Sequence, residues 1–194
     1  MASFSIHLAV AKRYLEKWQI EDEMAFYRGV VAPDLTDNKY KSHYSGTYTD
    51  DLRNNLANKV RLNEYLKCNE VNNEYEIGVF LHLVTDYMFY NGFFDKGTTD
   101  RFTFKDFFKN LYYSYDIVAE DLIENYEIDV IHEMPELEEV IVNKRKQELE
   151  SIEGLENLLP MERLEQFIEE VSSVDLSKYL LDILEADSNV FPTL

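Results

Sequence analysis

The sequence predicts an all-α protein, a single compact multi-helix domain of about seven or eight helices spanning residues 1–194. The chain has 194 residues but only 6 glycines and 4 prolines, the residues that most often interrupt helices. Apolar residues recur at spacings of three and four over long stretches, which is the helical period. A hydrophobic content of 45% is enough to fill a continuous core in a chain of this length.

Two helices are predicted at the N-terminal end. The first covers residues 5–18, and His7 lies beside its apolar stripe, so this imidazole faces the interior. The second covers residues 20–28 and ends at Gly29, because glycine favours helix termination. The proline before Asp34 disfavours helical backbone in the residue preceding it, so Asp34 is predicted to lie on a loop.

The middle of the chain holds two more predicted helices. Residues 36–48 are polar, aromatic and irregular, and they contain His43. Thr49 and the two aspartates after it suit the start of the third helix. Its core-facing residues are Leu52, Leu56, Val60 and Leu66. The fourth helix covers residues 74–90, is capped by an asparagine at position 72 or 73, and stops at Gly92.

The remaining helices are predicted mainly from their end signals. Thr103 and Asp106 approximate a capping box for a helix that runs to about Asn125. Pro135 and Pro160 suit the first turns of two further helices, and an aspartate at position 175 can cap the last one.

The charge of the chain is unevenly distributed. The formal net charge is −19, yet residues 1–70 hold ten basic and ten acidic side chains, whereas residues 116–194 hold 5 and 22. The sequence therefore divides into a nearly neutral half, about 1–115, and an acidic helical half, about 116–194. Such acidity argues against stable nucleic-acid binding, but it is compatible with a small phosphate-ester substrate.

Cysteine content and hydropathy indicate the cellular compartment of the protein. The single cysteine, Cys68, excludes an internal disulfide and suits a reducing compartment. The N-terminal segment lacks the pattern of a secretory signal, and no stretch approaches the roughly 20 apolar residues of a membrane span. We therefore expect a cytoplasmic protein without a transmembrane segment, and the sequence leaves its oligomeric state open.

His82 and Asp86 form the sharpest chemical pattern. They stand four residues apart on a predicted helix, so both project from one face about one turn apart. Their segment is strongly apolar, and no lysine or arginine occurs between Lys67 and Lys96. A buried carboxylate needs a partner, and a divalent metal is one such partner. A core hydrogen bond, or an arginine from a distant segment, is the alternative.

His7, Asp34 and His43 each have an ordinary explanation when taken singly. They would be a hydrogen-bonded core histidine, a turn residue and a surface-loop residue, respectively. The order of all five groups is more informative. The order is His7, then Gly-Val-Val-Ala-Pro-Asp ending at Asp34, then His43, then His-Leu-Val-Thr-Asp ending at Asp86. This order resembles that of the zinc-dependent phospholipase C family, whose helical fold is shared with fungal single-strand zinc nucleases.

The resemblance covers about the first half of the chain and implies a metal site. Residues matching Asp34, His43, His82 and Asp86 would hold one zinc, and Asp86 would bridge to a second ion shared with His7. One or two divalent ions, first of all Zn²⁺, are thus the expected cofactors. Asp34 would also orient or deprotonate the attacking water.

Three departures from the family limit this expectation. Secreted members use the amine of their mature N-terminal residue as a metal ligand, and this sequence has no signal peptide that would expose one. The stretch after Asp86 lacks the histidine expected for a third metal. His132 and Glu136 have the spacing of the remaining ligand pair, but Pro135 interrupts them and they lie far along the chain.

The resemblance makes metal-dependent hydrolysis of a phosphate ester the leading hypothesis. A catalytically degenerate metal-binding or scaffold protein of the same fold is the alternative. A phosphohydrolase of the HD type is excluded because the chain has no adjacent His-Asp pair.

Two further groups of residues are candidates for contact with a substrate. The candidate phosphate-binding cations are Arg28, Lys39, Lys41 and Arg53. Residues 87–115 contain 12 of the chain's 26 phenylalanines and tyrosines, which either pack in the core or line a pocket for a flat group.

Overall fold

The computed structural model describes residues 2–49, 51–135 and 154–185, and every regular element within these ranges is helical. The predicted all-α class is therefore confirmed. The α-helices are α1 (Phe4–Leu15), α2 (Glu23–Val31), α3 (Lys39–Ser42), α4 (Leu52–Ala57), α5 (Leu62–Cys68), α6 (Glu74–Met88), α7 (Lys96–Thr99), α8 (Phe104–Asn125), α9 (Met161–Ser172) and α10 (Leu176–Glu185). Two of these ten, α3 and α7, have four residues each, which leaves eight longer helices in the described ranges.

Three short helical turns join these elements. They are 3₁₀ turns at Ala32–Asp34 and Asp129–Glu133 and a π-helical turn at Phe89–Phe93. One cluster of buried apolar side chains extends from Ala2 to Ile183. The helix predicted to begin at Pro135 falls mostly on residues outside the described ranges, and the single domain over 1–194 stays a prediction for the same reason. None of the helices described is both long and apolar enough to cross a membrane.

Helix starts agree with the sequence signals at α6, α8 and α10, whereas the helix predicted from residue 20 begins at Glu23. The side chains of Ser3, Asn73 and Thr103 accept hydrogen bonds from backbone amides at the starts of α1, α6 and α8. Asp175 does the same at α10, where it accepts from the amide of Lys178 at 3.1 Å. Pro160 stands immediately before α9 rather than within its first turn.

The predicted third helix is wrong as a continuous element, because α4 and α5 are separate. The carbonyl of Asn58 accepts a hydrogen bond from the amide of Gly46 at 2.7 Å. The carbonyl of Lys59 accepts one from the hydroxyl of Ser45, also at 2.7 Å. The backbone at Arg61 is extended (φ −121°, ψ 92°), so the helix is interrupted there, and these two hydrogen bonds hold the residues just before the interruption. Leu52, Leu56 and Val60 nevertheless reach the core as expected.

The predicted end of the second helix at Gly29 is also wrong, because α2 continues to Val31. Gly29 instead lies where α2 crosses α6 closely, facing Gly78. A Cβ atom on Gly29 would overlap the carbonyl oxygen of Tyr75, and one on Gly78 would overlap the carbonyl oxygen of Phe26. The two glycines therefore let two backbones approach, which places the next turn of α6 directly against the end of α2.

Gly78→Ala should lower the free energy of unfolding of the metal-free protein by about 2–3 kcal/mol, since the new methyl group meets backbone that can move only if the helices separate. Urea denaturation followed by circular dichroism would measure this change. Gly92→Ala is the matched control, because a Cβ atom there meets nothing within 4 Å. It should change stability by less than about 0.5 kcal/mol. Equal stability of both variants would refute the close crossing.

Candidate metal centre

Five buried side chains from four parts of the chain converge at the end of the α2–α6 crossing. His7 comes from α1, Asp34 from the 3₁₀ turn after α2, His43 from the residue after α3, and His82 and Asp86 from α6. The relative exposure of these residues is between 0% and 6%, with Asp34 the highest. The structure thus brings together all five residues singled out in the sequence.

His82 is oriented by the helix crossing. Its Nδ1 lies 2.6 Å from the carbonyl oxygen of Val30, the residue after Gly29. A carbonyl oxygen only accepts hydrogen bonds, so the imidazole proton resides on Nδ1 and the lone pair of Nε2 points into the cluster. A backbone carbonyl on the far nitrogen is a common way to fix a histidine ligand.

His43 is fixed in the same manner and faces His82. Its Nδ1 lies 2.8 Å from the carbonyl oxygen of Lys39, so its Nε2 also presents a lone pair. The Nε2 atoms of His43 and His82 are 2.9 Å apart. Two lone pairs at this distance repel each other unless a cation, either a proton or a metal ion, lies between or beside them.

Asp86 directs its two carboxylate oxygens to different partners. Oδ2 lies 3.3 Å from Nε2 of His43 and 3.8 Å from Nε2 of His82, yet it accepts no hydrogen bond from the part of the chain that the structure describes. Oδ1 accepts one from the backbone amide nitrogen of Ala2 at 2.6 Å and lies 3.4 Å from Nε2 of His7. The carboxylate therefore stands between the pair formed by His43 and His82 on one side and His7 on the other.

Four separations among the side chains of Asp34, His43, His82 and Asp86 lie between 2.9 and 3.9 Å, near those of a metal site. Oδ1 of Asp34 lies 3.9 Å from Nε2 of His43, and the other separations are those given above. Metal–ligand distances of about 2.0–2.1 Å in a tetrahedral zinc site correspond to ligand–ligand separations of about 3.3 Å. Two imidazole nitrogens and two carboxylate oxygens are also donors that zinc accepts. This cluster could therefore hold a metal ion.

His7 adds a further unsatisfied group. Its ring stacks on that of His82 with centroids 3.7 Å apart and an angle of 10° between the planes. Among the described residues neither ring nitrogen has a hydrogen-bond partner, although both are buried. Buried polar atoms without partners are uncommon and often mark a missing ion.

Two overlapping groups of three could each surround an ion. They are His7, His82 and Asp86, and Asp34, His43 and His82, and within each group the ligand atoms lie no more than 4.8 Å apart. His82 belongs to both, but its Nδ1 is already bonded to Val30, so it can bind only one ion through Nε2. The geometry thus supports a metal site at this cluster, and the number of ions and the role of each residue as a ligand stay predictions.

Burial and neighbouring charges keep these groups in the ionisation states that a metal ligand needs. Burial lowers the pKa of His82 to about 3, so its imidazole is neutral near pH 7. Burial raises the pKa of the Asp86 carboxyl, but the nearby imidazoles of His43 and His7 contribute to holding it well below its usual value. Burial also raises the pKa of Asp34, but the imidazoles of His82 and His7, and to a smaller extent the ammonium of Lys39, lower it below its usual value. The Nζ atom of Lys39 lies 3.2 Å from Oδ1 of Asp34.

The chain was also compared with known proteins. No family model, curated protein or solved structure matches it. The likeness to zinc-dependent phospholipases C therefore stays a prediction, and the geometry of the cluster must support any functional proposal.

The structure places the other candidate residues away from this cluster, with one exception. His132 is an exposed residue on the 3₁₀ turn Asp129–Glu133, and its predicted partner Glu136 is outside the described residues. Arg53 donates a hydrogen bond to the hydroxyl of Thr99 at 3.0 Å, and Arg28 and Lys41 are exposed. Lys39 is the exception because of its ion pair with Asp34.

Sequence reasoning missed three contributors to the cluster. The amide of Ala2 and the carbonyl of Val30 are backbone groups, and residue identity carries no signal for them. Tyr115 on α8 was counted only among the aromatics. It is buried, and burial together with the charges of Asp86 and Asp34 raises the pKa of its phenol well above the usual value.

Proposed function

We propose that the protein is a metal-dependent hydrolase that acts on a phosphate ester, as the likeness to zinc-dependent phospholipases C implies. The observation that carries this proposal is the pair of opposed Nε2 atoms of His43 and His82 beside two buried carboxylates. A divalent ion at such a site, when bound, lowers the pKa of a coordinated water toward about 7. The cluster is therefore chemically suited to hydrolysis near neutral pH.

Asp34 and Lys39 are the groups best placed to act on a substrate. Asp34 is the most exposed member of the cluster, and its carboxylate can accept the proton that the attacking water loses as the P–O ester bond breaks. The side chain of Lys39 is 42% exposed, so its ammonium can leave Asp34 and contact a phosphate oxygen. Solvent supplies the proton for the departing alkoxide.

A hydrolysis assay tests this proposal. Protein treated with a chelator and then reloaded with Zn²⁺ should hydrolyse bis-p-nitrophenyl phosphate, and the metal-free protein should not. Asp34→Asn should lower kcat/KM at least about 100-fold, because it removes both a proton acceptor and a negative ligand. Asp37→Asn makes the same change on an exposed residue three positions away and should leave kcat/KM unchanged.

The alternative function is that of a scaffold protein with a structural metal site. It is favoured by the deep burial of four of the five residues, at 0–1% exposure, and by the exposed position of His132. A full complement of bound metal without turnover of the phosphodiester would support this alternative and contradict the hydrolase.

A further inference from the structure

A pocket separate from the metal cluster lies between the segment before α4, the end of α4 and the start of α8. Its volume is about 680 Å³, and its lining includes Tyr48, Lys59, Phe104 and Lys105. Sites for small molecules commonly have volumes of about 300–1,000 Å³. The size of this pocket therefore suits a small ligand rather than a protein surface.

The ammonium group of Lys59 is held over three aromatic rings. Its Nζ lies 4.6 Å from the ring centre of Phe108, 5.0 Å from that of Tyr48 and 5.9 Å from that of Phe104. It also donates a hydrogen bond to the hydroxyl of Tyr48 at 3.1 Å. An ammonium has three N–H donors, so this contact leaves donors available while the rings restrict its motion.

Two lysines line the pocket in a protein of net charge −19. Lys59 and Lys105 both line it, and its lining contains no aspartate or glutamate among the described residues. Within those residues neither lysine forms an ion pair with a carboxylate. The nearby carboxylate of Asp106 is bound by the hydroxyl of Thr103 at 2.6 Å. The two ammonium groups therefore remain available to an anion from solution.

Two rings at the same pocket are exposed to solvent. Tyr48 is 43% and Phe104 is 38% exposed, and their ring centres are 6.1 Å apart with an angle of 72° between the planes. Exposed aromatic rings beside a pocket offer both a face and an edge for a flat ligand. Of the aromatics in residues 87–115, Phe107 and Phe108 are buried and thus fit the core-packing explanation, whereas the exposed Phe104 does not.

We propose that this pocket binds a planar aromatic anion, a flat ring that carries a phosphate, phosphonate or carboxylate group. The anionic group would contact Lys59 and Lys105, and the ring would pack against Tyr48 and Phe104. This site does not depend on a metal ion or on the hydrolase activity proposed above.

Phenylphosphonate is the probe that tests this site, and the protein should be kept free of metal with a chelator so that the metal cluster does not bind the anion. Calorimetry should show saturable binding. Inorganic phosphate, which lacks the ring, and benzyl alcohol, which lacks the charge, should both bind at least about tenfold more weakly. Amide chemical shifts should change at residues 48, 59 and 103–105. Chemical-shift changes confined to other residues would overturn the proposal, and this test needs no variant.

Variants then test the two kinds of contact separately. Lys59→Gln should weaken phenylphosphonate binding about tenfold, and Phe104→Leu about fivefold without weakening inorganic phosphate further. Lys178→Gln on α10 removes the same charge from an exposed residue elsewhere and should have no effect. Equal weakening by Lys59→Gln and Lys178→Gln, or equal affinity for phosphate and phenylphosphonate, would overturn the proposal.

Discussion

Asp86→Asn should abolish metal binding, with an affinity for Zn²⁺ at least about 1,000-fold below that of the wild-type protein, or about 4 kcal/mol. The carboxylate presents one oxygen to His43 and His82 and the other to His7. An amide keeps only one oxygen, and its NH₂ group cannot coordinate a metal. The amide side chain would also lack the negative charge that offsets the charge of a buried cation. Competition with a chelating dye would measure the affinity.

Asp182→Asn is the matched control for this substitution. Asp182 lies on α10 and is exposed, so the same chemical change there should leave the affinity for Zn²⁺ at the wild-type value. Metal analysis of both purified variants would give the stoichiometry at the same time. Wild-type affinity in Asp86→Asn would exclude this cluster as the metal site.

The metal-free protein should lose stability as the pH falls from about 6.5 to about 3. The pKa of His82 is lowered to about 3 in the folded protein, against about 6.5 in an unfolded chain. The unfolded state therefore binds this proton first, and the stabilisation is complete above pH 6.5 and is lost as the pH falls toward 3. This difference between the two pKa values corresponds to a change of about 4–5 kcal/mol in the free energy of unfolding. Chemical denaturation at a series of pH values would measure it.

His82→Leu isolates this contribution. The variant should lose the pH dependence between 6.5 and 4, although it retains the loss below about 4 that arises because the pKa values of Asp34 and Asp86 are lowered in the folded state. His132→Gln removes an exposed histidine and should keep the wild-type profile. A wild-type profile in His82→Leu would show that the buried imidazole does not cause the effect.

Local patterns in the sequence were sufficient for some elements of the fold. The capping residue Thr103 and the apolar period predicted α8 to its last residue. The four-residue spacing of His82 and Asp86 correctly predicted one helix face, since both reside on α6. Such features depend on neighbours within a few residues, and these are present in the sequence itself.

Features that depend on distant contacts could not be predicted in this way. The residues just before the break between α4 and α5 are held by Ser45 and Gly46, which donate hydrogen bonds to the carbonyl groups at positions 58 and 59. Gly29 has the same local appearance whether it ends a helix or permits a close crossing. The convergence of Asp34 and His43 on α6 was expected only from the family resemblance, because nothing in their own segments points to it.

The hydrogen bond between His82 and the carbonyl of Val30 has a consequence for exchange kinetics. Because the acceptor belongs to the main chain, no side-chain substitution at position 30 removes it, and only a separation of α2 from α6 can release the imidazole. The ligands are buried at 0–6% exposure, so if a buried ion can leave only when the helices separate, it leaves at the rate of that local opening. Its release to an excess of chelator should be independent of chelator concentration and should quicken in Gly78→Ala, so that a measurement of metal loss would report how often the two helices part.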